Sequence, residues 1–266
     1  MSQYPRVQAY QEPGSKAVLS VDGRPALTYH FGRNYPRPFI YPLLTPAGHN
    51  VLAYGHSVDL VDHSHHRGLF IAHGKTNDED FWSDQANRCI HQKLLKLDSG
   101  TESGTIGSLN HWVAGEQVLL EENREFILGV NYEFTVRLEF TATSTDVELG
   151  ENKFGFLALR VLRSIGVAAG GGRITDSEGR KNEEEVFGQT ATWCDYSGPV
   201  SPTEWAGVTV HDAPGNPRHP TNWMCRNDGW FSPAFNMSEP YTIKEGETLT
   251  LSYRVIPHDG ASPVAT

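Results

Sequence analysis

The chain has 266 residues and a formal net charge of −10, which excludes the basic face that a nucleic-acid partner requires. No apolar run approaches the ~20 residues that cross a bilayer as a helix, and MSQYPRVQAYQEPGSK lacks the apolar stretch of a signal peptide, so a cytoplasmic protein with no membrane partner is expected. Cys89, Cys194 and Cys225 are far apart and without C-x-x-C spacing, which predicts buried reduced thiols rather than a disulfide framework or zinc finger.

Residues 1–15 are polar and contain prolines, and they are expected to form a flexible N-terminal segment ahead of one β-sandwich domain over 16–266. AVLSVDGRPALTYHF then reads as two strands joined at Asp22-Gly23, a pair that tolerates the positive φ angles of a tight hairpin. The short apolar run LFIAH, between Gly68 and Gly74, predicts a strand ending at His73. NDEDFWSDQANR has room for a short helix. In NYEFTVRLEF, Tyr132, Phe134, Val136, Leu138 and Phe140 alternate with Glu133, Thr135, Arg137 and Glu139, the period of a half-buried strand. ETLTLSYRVIPHDG repeats that pattern after a turn at Gly246. Glycine and proline punctuate the whole length, and no stretch of 12 residues carries a helical period. The expected fold is therefore all-β, a large antiparallel β-sandwich, with a jelly roll or cupin-like barrel as the alternative.

The chemistry concentrates in DHSHHRG, residues 62–68. In an extended strand His63 and His65 share one face, a chelating H-x-H geometry, and His73, or a carboxylate such as Glu79 or Asp80, is a candidate third ligand for a divalent metal. Without a metal, His63, His65, His66 and His73 are candidate general acids and bases. Arg67 offers a planar fork for a carboxylate or for sugar hydroxyls. Asp80 beside Phe81 and Trp82 pairs a carboxylate with aromatic faces, a combination suited to carbohydrate. Lys75 and Lys153 are candidate stabilisers of an oxyanion, and Glu178, within AAGGGRITDSEGR, is a carboxylate that this segment can bring to the pocket. The glycines of that segment lack the order of a phosphate loop, and no nucleophile elbow occurs.

RPFIYPLLTPAGHNV, DHSHHRGLFIAHG with DFW, KFGFLALRV, GGGRITDSEG, WCDYSGP and DAPGNPRHPTNW, in that order, resemble the PmoA-like family, labelled methane oxygenase PmoA. The resemblance implies a soluble protein of carbohydrate catabolism. It marks Asp62, His63, His65, His66, Arg67, His73, Asp80 and Trp82 in one block, and Asp212, Pro214, Asn216, Pro220, Trp223 and Arg226 in another. Where the family carries histidine after the aspartate and after the tryptophan, this chain has Ala213 and Met224; His211 and His219 lie nearby, and His219 is taken as a substitute. The final strand is also similar to galactose-mutarotase-like supersandwiches. Together these imply a sugar or keto-glycoside substrate, acid–base or metal-assisted proton transfer, and a homo-oligomer or a sugar-enzyme partner. The alternative is a binding subunit that holds sugar without turning it over.

Overall fold

The structure, a computed structural model, describes residues 4–55, 65–84 and 87–262. Two eight-stranded sheets face each other. The first runs in spatial order β1 (Val7–Glu12), β2 (Lys16–Val21), β3 (Arg24–His30), β4 (Phe39–Leu43), β5 (Leu69–His73), β11 (Gly155–Arg160), β16 (Trp230–Pro233) and β15 (Trp223–Arg226). The second runs β12 (Arg173–Asp176), β13 (Trp193–Pro199), β14 (Trp205–Asp212), β18 (Thr248–Asp259), β9 (Phe134–Ala142), β8 (Gln117–Gly129), β7 (Ser103–Ala114) and β6 (Arg88–Asp98). A ribbon of β10 (Val147–Leu149) and β17 (Tyr241–Ile243) lies apart, and the helices α1 (Val167–Gly170) and α2 (Asn182–Val186) are each about one turn long. The ladders within the sheets are antiparallel, so the large antiparallel sandwich expected from the alternating strands is the fold observed. Among the described residues no helix is long and apolar enough to cross a membrane.

The periodicities act locally as expected. β2 and β3 meet at Asp22 and Gly23, both at positive φ (49° and 78°). In β9, Phe134, Val136, Leu138 and Phe140 are buried while Arg137 is exposed; Tyr132 precedes the strand instead of starting it. β18 buries Leu249, Leu251, Tyr253 and Val255, and one continuous apolar cluster joins both sheets. The three cysteines are buried and free.

Two expectations change. Part of the N-terminal segment expected to be loose is strand: β1, Val7–Glu12, pairs with β2 along its length, and Val7 is fully buried and bridged to Gly100. The Val7 side chain and the ladder hydrogen bonds outweigh the polar composition that suggested a loose end. The described part of NDEDFWSDQANR is turn and bend, because Asp80 caps a turn there rather than starting a helix.

The interior also holds charge. On the inward face of β8, Arg124 donates from Nε and Nη2 to the two Glu122 oxygens (2.6 and 2.8 Å), and the Trp112 indole donates to Glu122 at 2.8 Å. Tyr29 of the first sheet reaches Ser108 of the second at 3.0 Å. Burial is severe enough to push the Cys89 thiol well above its ordinary range, with Glu122 adding to it.

Candidate functional site

The outward face of the first sheet is not solvated. Along β11 and β16, Leu157, Leu159 and Phe231 point into the common core, while Ala158 and Trp230 point out and join Phe39, Phe70, Trp82 and Met224 in a second apolar cluster. On this floor stands a cavity of about 320 Å³ lined by His65, His66, Trp82, Lys153, Phe154, Arg160, Phe187, Met224, Arg226, Asp228 and Trp230. That volume is at the small end of the ~300–1,000 Å³ usual for small-molecule sites.

Register builds the polar row. Arg160 is the ladder partner of Trp230, and Trp230 is the partner of Arg226, so three adjacent strands set these side chains abreast on one face. Asp228, in the turn between β15 and β16, lies 3.3 Å from Arg160 Nη1, and Arg226 is paired with Glu183 at 3.0 Å. Arg160 is 3% exposed, yet its Nη1 makes no hydrogen bond, and neither does the buried Trp230 Nε1. A buried donor left unsatisfied costs about 1–3 kcal/mol, so two on one cavity wall need an explanation.

His65 and His66 reach the same cavity. Strand alternation would send them to opposite faces, but the backbone turns at His65, and the two rings meet edge to face with centroids 4.3 Å apart. His66 stacks on Trp230 at 4.5 Å, and Trp82 packs edge-on against Trp230 at 5.1 Å and obliquely on Phe154 at 4.9 Å. Gly68 ends this turn at φ 58°, and a Cβ there would lie 2.0 Å from the Ile40 carbonyl oxygen, so only glycine lets the chain pass β4 into β5.

The loop that brings Trp82 is clamped twice. Asp80 accepts hydrogen bonds from the Trp82 and Ser83 amides at 2.7 and 3.1 Å and from the Ser83 hydroxyl. Arg37, 3% exposed, donates to the Phe81 and Ser83 carbonyls and to Asp84, which also receives Arg67 at 3.0 Å. Asp80 and Arg67 therefore support the wall rather than line it. Arg67 also lies over the Tyr35 ring.

Other sequence-predicted residues fall elsewhere. His73 is fully buried: Nδ1 accepts the Lys75 amide, Nε2 lies 2.7 Å from the Asn236 side-chain amide, and the ring stacks on Phe156. Burial takes its pKa down from 6.5 to about 4. The expectation that β5 would carry His73 into the histidine pocket is corrected, because β5 is buried on both faces and this residue faces the core. With it goes the arrangement in which His73 completes a metal site with His63 and His65. Asp62 and His63 lie outside the described residues, among which no three His, Cys, Asp or Glu side chains group as ligands for an ion. Lys75 pairs with Asp78 at 3.5 Å away from the cavity, and Glu178 is exposed and accepts a bond from Ser177. Trp223 is core, its indole donating to the Ala191 carbonyl.

Asp212, at the end of β14, and His219, in the bend region that follows it, sit together at a separate hollow of about 350 Å³. Asp212 holds His219 Nδ1 at 2.7 Å and also accepts from Asn216 and Thr221; burial nonetheless raises its pKa above the ordinary carboxylate value. Across that hollow Arg254 donates to His211 at 3.3 Å, and burial, then Arg254, lowers the His211 pKa.

Of the expected residues, His65, His66, Trp82, Lys153 and Arg226 converge. Arg160, Trp230, Phe154 and Asp228 were not anticipated. The one signal available was Arg160 itself, a lone cation closing the apolar run GFLAL.

Residues 16–266 match the family described as "Family of unknown function (DUF6807)". No curated protein matches the chain in sequence. Among solved structures, the heparan sulfate lyase HepC from Pedobacter heparinus is similar over 98% of this chain at 10% identity and a TM-score of 0.46, and this chain spans 38% of the lyase's length. The galactose 1-epimerase from Lactobacillus acidophilus aligns over 97% of this chain and all of its own, with 8% identity and a TM-score of 0.39. A putative mutarotase from Salmonella typhimurium aligns over 97% of this chain and 95% of its own, with 10% identity and the same score.

Proposed function

Starting from a chain that belongs to the family of unknown function DUF6807, as its match over residues 16–266 shows, we propose that the cavity on the outward face of the first sheet binds a sugar or a keto-sugar and moves a proton on it. The observation that supports this reading is the meeting of two imidazoles, His65 and His66, with the indoles of Trp82 and Trp230 in one cavity. Indole faces cover the C–H faces of a pyranose, while guanidinium and carboxylate groups bond its hydroxyls. Arg160 and Asp228 supply both kinds of polar group beside those rings.

Two adjacent imidazoles suit proton transfer at a carbon next to a carbonyl, one removing the proton and the other protonating the oxygen or the departing group. Epimerisation, elimination and hydrolysis of a keto-glycoside all begin this way. In this reading His65 and His66 are the acid and base, Trp82 and Trp230 position the ring, and Arg160 steadies negative charge that develops on oxygen. A divalent metal, with ligands other than His73, and a cytoplasmic location belong to the same proposal.

The test is calorimetric titration of the full chain with a panel of neutral, keto and acidic monosaccharides, followed by NMR of each binding sugar in deuterated buffer. Binding that Trp82→Ala abolishes, with C–H exchange or product formation lost in His65→Ala and His66→Ala, is expected. Binding with no exchange in the wild type leaves a binding module. No binding of any sugar overturns the proposal.

A further inference from the structure

We propose that the cavity selects a sugar bearing a carboxylate, a hexuronic acid or its glycoside, and that Arg160 receives the acid group. This deepens the sugar-binding reading above and rests on it. In a chain of net charge −10, this cavity gathers Lys153, Arg160 and Arg226 against the single carboxylate of Asp228 among its described lining residues. Arg226 is already matched by Glu183, outside the lining. Lys153 is exposed, lies 5.2 Å over the Phe154 ring and has no carboxylate partner among the described residues. The local excess is positive where the protein as a whole repels anions, and such a concavity draws an anionic ligand.

The deeper evidence is two buried donors that make no hydrogen bond, on two residues that both line the cavity. Arg160 is nine-tenths buried and more, and its Nη1 stands near Asp228 without completing a hydrogen bond. Its ladder partner Trp230 has a buried Nε1–H with no acceptor. Neighbouring positions on antiparallel strands hold their side chains within reach of one small group. A carboxylate has two oxygens and about four lone-pair positions, so one such group can accept from the guanidinium and the indole at once. A neutral hydroxymethyl at the same place offers one oxygen and no charge. The guanidinium fork pairs with planar and tetrahedral oxyanions alike, but a carboxylate spreads its charge over two oxygens and a sulfate ester over three, so the carboxylate is the stronger acceptor.

The experiment is isothermal titration of the full chain at pH 7 and low salt with glucuronate, galacturonate, glucuronamide, glucose and glucose 6-sulfate. The wild type is compared with Arg160→Gln and Trp230→Phe, the latter keeping an aromatic ring but removing the five-membered ring with its N–H. At least one uronate is expected to bind tenfold or more tighter than its neutral counterparts and than glucose 6-sulfate. That preference should weaken with added salt, collapse in Arg160→Gln and fall several-fold in Trp230→Phe. If Arg160→Gln does not fold, by circular dichroism, Trp230→Phe decides. Equal binding of acidic and neutral sugars, tighter binding of the sulfate ester, or an unchanged preference in the folded variants overturns the acid-selective site while leaving the sugar site standing. Absence of binding by every sugar overturns both.

Discussion

The imidazole of His66 lies nearly parallel to the indole of Trp230, with centroids 4.5 Å apart and planes 28° from each other. The histidine comes from a turn and the tryptophan from a strand more than 160 residues later, so the stack joins the histidine segment to the sheet floor. Trp230→Ala is expected to cost about 3–5 kcal/mol of stability, the usual range for a buried tryptophan, and to release His66 from the cavity. Trp230→Phe keeps a stacking face and leaves a smaller cavity, so it should cost less than Trp230→Ala. Urea unfolding followed by far-UV circular dichroism separates the two; similar losses in both variants would mean that the full volume of the indole, not a stacking face alone, carries the stability.

Asp80 was expected to touch substrate, but its oxygens are engaged by the Trp82 and Ser83 amides and the Ser83 hydroxyl. Asp80→Asn retains an acceptor for these amides and should bind sugar within about twofold of wild type. Asp80→Ala frees the turn, with a loss of about 1 kcal/mol and weaker sugar affinity as Trp82 loses its position. A large affinity loss in Asp80→Asn as well would return the carboxylate to the binding surface.

His73 makes stability depend on pH. Its pKa in the folded protein is about 4, below the ordinary 6.5, because burial disfavours the imidazolium. The unfolded chain therefore binds a proton more readily, and stability declines as pH falls from 6.5 toward 4. From this residue alone the loss between pH 7 and pH 5 is roughly 2 kcal/mol. His73→Gln is expected to be less stable at pH 7 but to show a shallower decline to pH 5 in urea titrations. Parallel declines would show that His73 does not titrate this way.

Glu122 and Arg124 form a doubly hydrogen-bonded ion pair in the sandwich interior. Removing one partner strands the other charge, so Glu122→Ala should destabilise by about 3–5 kcal/mol. Replacing both residues with apolar side chains of similar volume should cost far less than the single change. Thermal unfolding of the single and double variants measures the difference, and a double variant as unstable as the single would refute it.

The strands were legible because alternation is a local property: Phe134, Val136, Leu138 and Phe140 must share a face whatever the rest of the chain does. The DG hairpin and the absence of long helices follow from φ preferences and from the missing 3.6-residue period in the same way. The histidine segment and Trp82 could be recognised as chemistry from residue type and density alone.

The cavity needed the tertiary structure. Arg160, Trp230 and Arg226 come from three strands, and only their pairing register sets them abreast. His73 closes a run that is buried on both faces, so no alternation tells which way its ring points; the β4 and β11 neighbours decide. His65 and His66 share a wall because the backbone turns between strands, where the two-residue period does not apply. Asp212 and His219, counted with the same pocket by sequence, line a different hollow, at the end of β14 in the other sheet and the bend region after it. Local periodicity determines what each segment is and which side chains share its faces; which segments become neighbours is settled only when burial and hydrogen-bond satisfaction are solved for the whole chain at once.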